Sequence, residues 1–294
     1  MNQTGLVVAS HGRHCWVEND LGERRICHHR GKNSTAVVGD RVQWLPSQDE
    51  GTIESIIPRR NLLYRQDELR TKSFAANLDQ VLLLVAAEPE FSQDQMARAL
   101  IACHAQGIEP IVMLNKCDLL EAFALAWDRL QPYRDMGQNI LAVSLRSGVG
   151  VEELKVLLKG KTTLVLGPSG AGKSSLVNLL VPSARAATGE ISKALQSGRH
   201  TTTSTHWYWL DDERLGALID SPGFQEFGLH HLDPRDLAGF MPDLRAHLGE
   251  CKFYNCTHLH EPGCGVRGAL EQGQIEPSRY QIYQRLFDQL NGKL

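Results

Sequence analysis

The alternation of hydrophobic and polar positions divides the chain into three stretches of different character. In the first, residues 1–66, short strand-like runs at 6–9, 15–17, 24–28, 37–44 and 51–56 are separated by turn residues, several of them glycines. Runs with a period of two between such turns predict an all-β unit. Five short strands of this kind favour a small barrel of the OB-fold type.

In the second stretch, residues 67–230, continuous apolar runs alternate with helical patterns. The runs at 78–86, 111–114, 140–143, 164–166, 206–210 and 215–219 predict strands, and the patterns at 94–106, 123–133 and 152–158 predict helices between them. This alternation predicts an α/β domain with a parallel sheet and flanking helices. Residues 67–73 are polar, and we expect them to form a linker.

The third stretch, residues 231–294, ends in a helical pattern over 277–290. We therefore predict a multidomain chain divided at 1–66, 67–230 and 231–294. With 42% hydrophobic and 22% charged residues it is globular, and its net charge of −3 does not mark a nucleic-acid binder. No apolar run approaches ~18 residues and no signal-peptide pattern is present, so we expect a cytoplasmic protein without membrane contact. We also expect a monomer.

A phosphate-binding loop follows the apolar run at 164–166. Residues 167–174 match G-x-x-x-x-G-K-[ST], in which backbone N–H groups and a helix start surround a phosphate. A chance glycine turn is the alternative, which the preceding strand and the Lys-Ser ending disfavour. Ser174 is also the expected Mg²⁺ ligand. The predicted nucleotide contacts are Gly167, Pro168, Ser169, Gly170, Ala171, Gly172, Lys173, Ser174 and Ser175.

Guanine specificity is predicted by a second motif. Asn115, Lys116 and Asp118 follow the run at 111–114 and resemble the N-K-x-D motif of GTPases. The Asp118 carboxylate would accept hydrogen bonds from the guanine N1–H and exocyclic amine, which adenine does not supply. Ser144 ends the next strand, where GTPases place a short loop against the guanine, although Ser-Leu-Arg matches that loop only in part.

A third motif concerns the γ-phosphate. Asp220 and Gly223, in Asp-Ser-Pro-Gly, resemble the D-x-x-G switch, in which the carboxylate supports Mg²⁺ and the glycine N–H senses the γ-phosphate. An ordinary turn is the alternative. In Ras-like GTPases the phosphate loop comes first and N-K-x-D late, whereas here N-K-x-D precedes the phosphate loop. The order predicts a circularly permuted GTPase domain, because the same sites assemble when the old termini are joined.

The segment before the run at 206–210 resembles switch I of GTPases, where a threonine completes the Mg²⁺ shell. Gly-Arg-His-Thr-Thr at 198–202 offers Thr201 and Thr202 as ligands, and the sequence does not choose between them; Thr202 is our working assignment. His200 is the candidate catalytic residue, because an imidazole can orient or deprotonate water near neutral pH. The sequence alone favours the alternative, a solvated loop histidine, and the catalytic role is what the family resemblance given below implies. The glutamine that follows D-x-x-G in Ras-like enzymes is replaced by Phe224.

A metal site is predicted in the C-terminal stretch. Cys251, Cys256, His258 and Cys264 fall within 14 residues, and three thiolates with one imidazole suit tetrahedral Zn²⁺. His260 is a competing ligand. Buried cysteines near a surface histidine are the alternative. We expect one structural Zn²⁺ per chain, and Mg²⁺ with GTP.

The first stretch carries a local basic cluster within an otherwise balanced charge pattern. It contains Arg24, Arg25, His28, His29, Arg30 and Lys32. Such clusters contact RNA backbone phosphates, and a solvated loop is the equal alternative.

A β-barrel, a permuted GTPase domain and a Cys-Cys-His-Cys module, in this order, resemble the RsgA (YjeQ/YloQ) family over the whole chain. Gly-Arg-His-Thr-Thr at 198–202 and Asp-Ser-Pro-Gly-Phe at 220–224 carry the likeness together with the cysteine spacing. The resemblance implies GTP hydrolysis stimulated by the small ribosomal subunit during late subunit maturation, with its rRNA as the main partner. The alternatives are a nucleotide kinase, since the phosphate loop also resembles that of guanylate kinase, and a non-enzymatic RNA-binding module.

Overall fold

The computed structural model describes residues 3–11, 14–30, 35–47, 50–68, 70–181, 205–221, 224 and 227–292. These residues form an N-terminal barrel, a central α/β unit and a C-terminal helical module, as the sequence predicts. No helix in these ranges is long and apolar enough to span a bilayer.

The barrel consists of five strands, β1 (Gln3–His11), β2 (His14–Glu18), β3 (Arg24–His29), β4 (Arg41–Pro46) and β5 (Gly51–Ile56). They pair in the order β1-β2-β3-β5-β4, and an antiparallel β1–β4 pairing closes the ring. Alternating residues from these strands fill the interior, with Trp44 the largest fully buried side chain of the barrel. The closed five-strand order confirms the predicted barrel.

The predicted strand at 37–44 is shorter than expected, because its first half forms a turn. The Val37 N–H donates to the Asp40 carboxylate at 2.8 Å, and the Asp40 N–H donates back to the Val37 carbonyl at 3.1 Å. The strand therefore begins only at Arg41.

Residues 67–73 are not a linker, so that prediction is wrong. Strand β6 (Leu62–Gln66) and strand β7 (Thr71–Ala76) form an antiparallel hairpin. The polar residues are its turn, closed by the Asp67 N–H donating to the Arg70 carbonyl at 2.9 Å, and the first half of β7. Phe74 is buried in the main core, so the hairpin packs on the α/β unit.

The central sheet has the strands β8 (Gln80–Ala86), β9 (Glu109–Asn115), β10 (Ile140–Val143), β11 (Thr162–Leu166), β12 (Thr205–Trp209) and β13 (Ala217–Asp220). Their spatial order is β10-β9-β8-β11-β13-β12, and the pairs from β10 to β13 are parallel. Strand β8 lies near the middle and is buried along its whole length. The parallel strands place their carboxyl ends at one edge of the sheet, where ligands bind in such folds.

Five helices of the described chain flank this sheet: α1 (Gln93–Ala105), α2 (Leu120–Arg129), α3 (Gln131–Asp135), α4 (Val151–Leu158) and α5 (Lys173–Leu180). The helix predicted at 123–133 is two helices, and Pro132 lies in the first turn of the second. Proline fits that position because its missing N–H has no partner there anyway. The strand predicted at 215–219 begins at Ala217, since the Asp211 carboxylate accepts from the N–H groups of Leu215 and Gly216.

The barrel and the central sheet are continuous, which the sequence did not indicate. Strand β12 pairs antiparallel with β13 on one side and with β1 of the barrel on the other. Buried Glu18 supports the junction from the barrel side. Its carboxylate accepts from Trp209 Nε1 at 2.8 Å and from Arg24 Nε at 2.7 Å.

The C-terminal module contains helices α6 (Pro242–Arg245), α7 (Gly265–Glu271) and α8 (Pro277–Leu290), with 3-10 turns at Leu237–Phe240 and Leu248–Glu250. The Arg279 guanidinium forms a buried ion pair with Asp243 at 2.8 Å and stacks over the Tyr133 ring of α3. Arg98 of α1 donates to Gln289 of α8 at 2.7 Å. These contacts hold the module against the helices of the α/β unit.

Candidate functional site

The phosphate loop lies between β11 and α5, as the motif predicts. Gly172 has a φ of 113°, a conformation that L side chains rarely adopt. A Cβ on Gly167 would lie 2.1 Å from the Leu84 carbonyl oxygen, so the first glycine allows the loop to approach β8. Ser174 and Ser175 are exposed in the first turn of α5, where backbone N–H groups are available to an anion.

Lys173 of this loop and Asp220 at the end of β13 influence each other's ionisation. The Lys173 ammonium donates to the carbonyls of Gly167 at 2.6 Å and Pro168 at 2.9 Å. Burial lowers the pKa of Lys173 and raises the pKa of Asp220, and in each case the charge of the other residue opposes the shift. A cation and a carboxylate held partly out of water suit a site for phosphate and Mg²⁺.

Asn115 joins the N-K-x-D segment to the phosphate loop. This side chain is buried at the end of β9, where its Nδ2 donates to the Ala171 carbonyl at 2.8 Å and its Oδ1 accepts from the Leu145 N–H at 3.2 Å. Lys116 has a φ of 66°, and its ammonium donates to the Glu88 carbonyl at 2.5 Å. The structure thus brings the two motifs into contact, although 56 positions separate Asn115 from Ala171 in the chain.

Asp118 and Ser144, the two residues that the sequence predicts to contact guanine, are hydrogen-bonded to each other at this edge of the sheet. The Ser144 hydroxyl donates to Asp118 Oδ1 at 2.6 Å, and this bond lowers the pKa of Asp118. Ser144 is fully buried and also accepts from the Ser147 N–H at 3.0 Å. The bond from Ser144 favours the ionised form of Asp118 and orients its carboxylate.

Four predicted site residues, His200, Thr201, Thr202 and Gly223, lie outside the described residues. Phe224, which follows Gly223 in sequence, is 5% exposed and lies 6.1 Å from the Phe227 ring. Phe227 in turn stacks on Phe74 of the hairpin at 5.5 Å. Phe224 is therefore a core residue, and its ring offers no hydrogen-bonding group to a water.

The predicted metal ligands converge in the C-terminal module. Cys251, Cys256, His258 and Cys264 have ligand atoms within 4.8 Å of one another, and exposed His260 is not a member of this group. His258 Nδ1 lies 3.5 Å from the sulfurs of Cys251 and Cys264, which are 4.0 Å apart. Tetrahedral Zn²⁺ bonds of about 2.3 Å to sulfur and 2.0 Å to nitrogen give ligand separations of about 3.8 and 3.5 Å. The donor set and its spacing fit a tetrahedral metal.

Three residues that support this loop were not identified from the sequence. The Glu261 carboxylate accepts from the Thr257 hydroxyl at 2.6 Å and the Thr257 N–H at 3.0 Å. From helix α8, the Tyr280 hydroxyl donates to the His258 carbonyl at 2.6 Å and the Tyr283 hydroxyl to the Thr257 carbonyl at 2.7 Å. His258 has a φ of 60°, so these bonds hold the ligand in a conformation unfavourable to a side chain. The helical spacing of the tyrosines predicts a buried face and gives no sign of these partners.

Much of the basic cluster on β3 is paired with acidic residues of neighbouring strands. Arg24 contacts Glu18, His28 contacts Glu50 at 2.7 Å and Arg30 contacts Glu54 at 2.6 Å. Lys32 lies outside the described residues. The pairing lowers the net positive charge that this surface offers to an anion.

The fold and the assembled motifs define a circularly permuted GTPase with a barrel before it and a metal-binding module after it. The sequence profile of the RsgA GTPase family matches residues 56–230. A small ribosomal subunit biogenesis GTPase RsgA from Variovorax paradoxus is 64% identical over 98% of this chain and 92% of its own length. That of Bordetella pertussis is 50% identical over 97% of this chain and 95% of its own length.

Two solved structures share the architecture. YjeQ from Thermotoga maritima superposes with a TM-score of 0.77 at 32% identity, covering the whole of both chains. YloQ, a circularly permuted GTPase, superposes with a TM-score of 0.73 at 25% identity over the whole of this chain and 96% of its own. The chain therefore belongs to the RsgA GTPase family, and it is a GTPase.

Proposed function

We propose that this protein hydrolyses GTP to GDP and phosphate in a reaction that the small ribosomal subunit stimulates, and that it acts late in the assembly of that subunit. The observation that carries the nucleotide chemistry is the Asn115 side chain, which ties the guanine motif to the phosphate loop. The relatives at 64% and 50% identity are named small ribosomal subunit biogenesis GTPases, which supports the cellular role.

The nucleotide site divides into a base side and a phosphate side. Asn115, Lys116, Asp118 and Ser144 hold the guanine, and the loop from Gly167 to Ser175 holds the phosphates. Ser174, Thr202 and Asp220 are assigned to Mg²⁺, and the Gly223 N–H to the γ-phosphate. Bound Mg²⁺ would neutralise the charge that develops on the phosphate oxygens. The exposure of Ser174 next to half-buried Lys173, whose charge acts on half-buried Asp220, supports this assignment.

Hydrolysis by the isolated protein should be slow, because no group at position 224 can orient the attacking water. The buried position of the Phe224 ring supports this inference. We assign the orienting role to His200, which docking on the subunit would bring to the water. The binding apparatus would then be complete in the free protein, while the catalytic arrangement would depend on the subunit.

The C-terminal cluster is assigned to one structural Zn²⁺ per chain. Three thiolates with one imidazole are the soft donor set that selects zinc over Mg²⁺ or Ca²⁺. The barrel, 1–66, and the C-terminal module, 231–294, flank the nucleotide domain, 67–230, and are proposed to contact subunit rRNA. The protein would act as a cytoplasmic monomer.

Phosphate release from GTP, measured with and without purified small subunits, tests this function, with large subunits as the control. We expect a low rate alone, a marked increase with small subunits and none with large subunits. Asp118→Asn should move nucleotide preference from guanine to xanthine, because an amide replaces the acceptor for the guanine N1–H and amine. An unstimulated wild type would contradict the subunit dependence, and unchanged guanine preference in the variant would contradict the base assignment.

A further inference from the structure

Thr205 and Ser221 are hydrogen-bonded at the ends of two neighbouring strands of the central sheet. Their hydroxyl oxygens are 3.0 Å apart. Thr205 is the first residue of β12 and follows Gly-Arg-His-Thr-Thr at 198–202 by three positions in the sequence. Ser221 comes directly after Asp220, the last residue of β13. The bond therefore links the first residue of β12 to the residue that follows β13.

The geometry of this contact is closely determined. Strands β12 and β13 are antiparallel, with His206 opposite Asp220. Thr205 precedes His206 and Ser221 follows Asp220, so the two hydroxyl-bearing residues come side by side at the end of this strand pair. Ser221 is 2% exposed, so its hydroxyl needs a protein partner, and Thr205 supplies it. The side chain of Thr205 is branched at Cβ and stiff at χ1. Pro222 follows Ser221 in sequence and disfavours helical backbone there.

Asp220 connects this contact to the phosphate site. Successive side chains of a strand point to opposite faces, so Asp220 and Ser221 face different neighbours. The Asp220 charge acts on Lys173 in the phosphate loop, while the Ser221 hydroxyl bonds to Thr205. A displacement of Thr205 would therefore be passed to the backbone that carries Asp220.

We propose that Thr205 and Ser221 are positioning residues for GTP hydrolysis, whose hydroxyl–hydroxyl bond holds the end of β13, and with it Asp220, in a fixed position against β12. This inference rests on the proposed function, which assigns Asp220 to Mg²⁺.

The same contact is linked to the barrel. Strand β1 pairs with β12 on the side away from β13, and Ser10 lies directly opposite Thr205. Ser10, Thr205 and Ser221 thus follow one another across three adjacent chain segments.

Single-turnover GTP hydrolysis with and without small subunits tests the pair through Thr205→Val, Ser221→Ala and the double variant. Each single variant should lower the subunit-stimulated rate by about 3- to 10-fold, the effect of one lost positioning hydrogen bond. The double variant should be no slower than the slower single variant, because both remove the same bond. GDP affinity and KM for GTP should stay within about twofold, and Thr205→Ser should keep the wild-type rate.

Thr163→Val is the matched control. Thr163 is a buried threonine of β11 whose hydroxyl accepts from Gln80 Nε2 at 2.9 Å, away from the carboxyl edge of the sheet. It should lower the thermal midpoint without changing the stimulated rate. Wild-type rates in the single variants, or independent losses that multiply in the double variant, would overturn the pairing while leaving the proposed function intact. A wild type that small subunits do not stimulate would overturn both.

Discussion

The Asn115 side chain donates to the Ala171 carbonyl of the phosphate loop at 2.8 Å. Asn115 is the last residue of β9 and the first residue of the N-K-x-D motif. The loop approaches so closely that a Cβ on Gly172 would lie 2.4 Å from Asn115 Nδ2. The Asn115 Oδ1 accepts from the Leu145 N–H, so the amide of this one residue fixes the N-K-x-D segment and the phosphate loop relative to each other. The circular permutation does not disturb this contact, because it depends on the sheet edge and not on chain order.

Asn115→Ala should weaken GDP binding by about 10- to 100-fold. The substitution leaves a buried carbonyl and a buried N–H without their partner and frees the two halves of the site. Titration with a fluorescent GDP analogue measures the effect. Asn139→Ala is the control, since Asn139 is an exposed asparagine just before the neighbouring strand β10. Equal affinity in the Asn115 variant would show that the amide does not organise the site.

Asp220→Asn should stabilise the nucleotide-free protein at neutral pH. Burial raises the pKa of Asp220 even though Lys173 opposes the shift. A carboxyl whose pKa rises on folding holds its proton more tightly in the folded state. The free energy of unfolding therefore falls as the pH rises from the unfolded pKa of Asp220 to its higher folded pKa.

The amide introduced by Asp220→Asn carries no charge. The variant should therefore melt about 1–4 °C higher than the wild type at pH 7, and its free energy of unfolding should not show this decline with pH. Mg²⁺-dependent GTP binding should weaken at the same time. Thermal melts of both proteins from pH 4 to 8 measure the difference, with exposed Asp212→Asn as the control. A lower midpoint for Asp220→Asn at pH 7 would refute the stated cost of burying this charge.

The elements that the sequence predicts well are those set by local pattern. Continuous apolar runs marked the parallel strands, and the glycines of the phosphate loop marked its turn. The hairpin at 62–76 was missed, because its polar turn and half-exposed second strand resemble a linker until Phe74 is seen to pack on Phe227. The β1–β12 pairing joins residues about 200 positions apart, and no local pattern reports such a contact.

Removal of the metal should loosen the C-terminal module and leave nucleotide binding intact. Structural zinc contributes folding free energy directly, and the cluster lies in a separate unit from the phosphate loop. Hydrogen exchange over residues 240–270 should rise after chelation or in Cys256→Ser, while GDP affinity stays within about twofold. Cys103→Ser is the control, since Cys103 is buried in α1 and is not a ligand. Less than one zinc per wild-type chain after purification in zinc-containing buffer would contradict the assignment.

Tyr283→Phe should weaken zinc retention without removing a ligand. The lost hydroxyl frees the Thr257 carbonyl next to His258, and loss of such supporting bonds costs about 10- to 100-fold in metal affinity. Competition with a chromogenic chelator measures it. Tyr254→Phe is the matched control, because Tyr254 lies in the same module with its side chain fully exposed. Equal zinc retention in the two variants would show that α8 does not support the ligand loop.

The central claim is that the free protein has a complete binding site, while its catalytic group depends on the small subunit. Single-turnover hydrolysis of prebound GTP in wild type and His200→Ala tests this claim most directly. Wild-type protein should hydrolyse slowly alone and much faster with small subunits. His200→Ala should bind GTP and subunits within about twofold of wild type and lose most of the stimulated rate. Full stimulation in the variant would exclude His200, and a wild-type rate that small subunits leave unchanged would contradict the division itself.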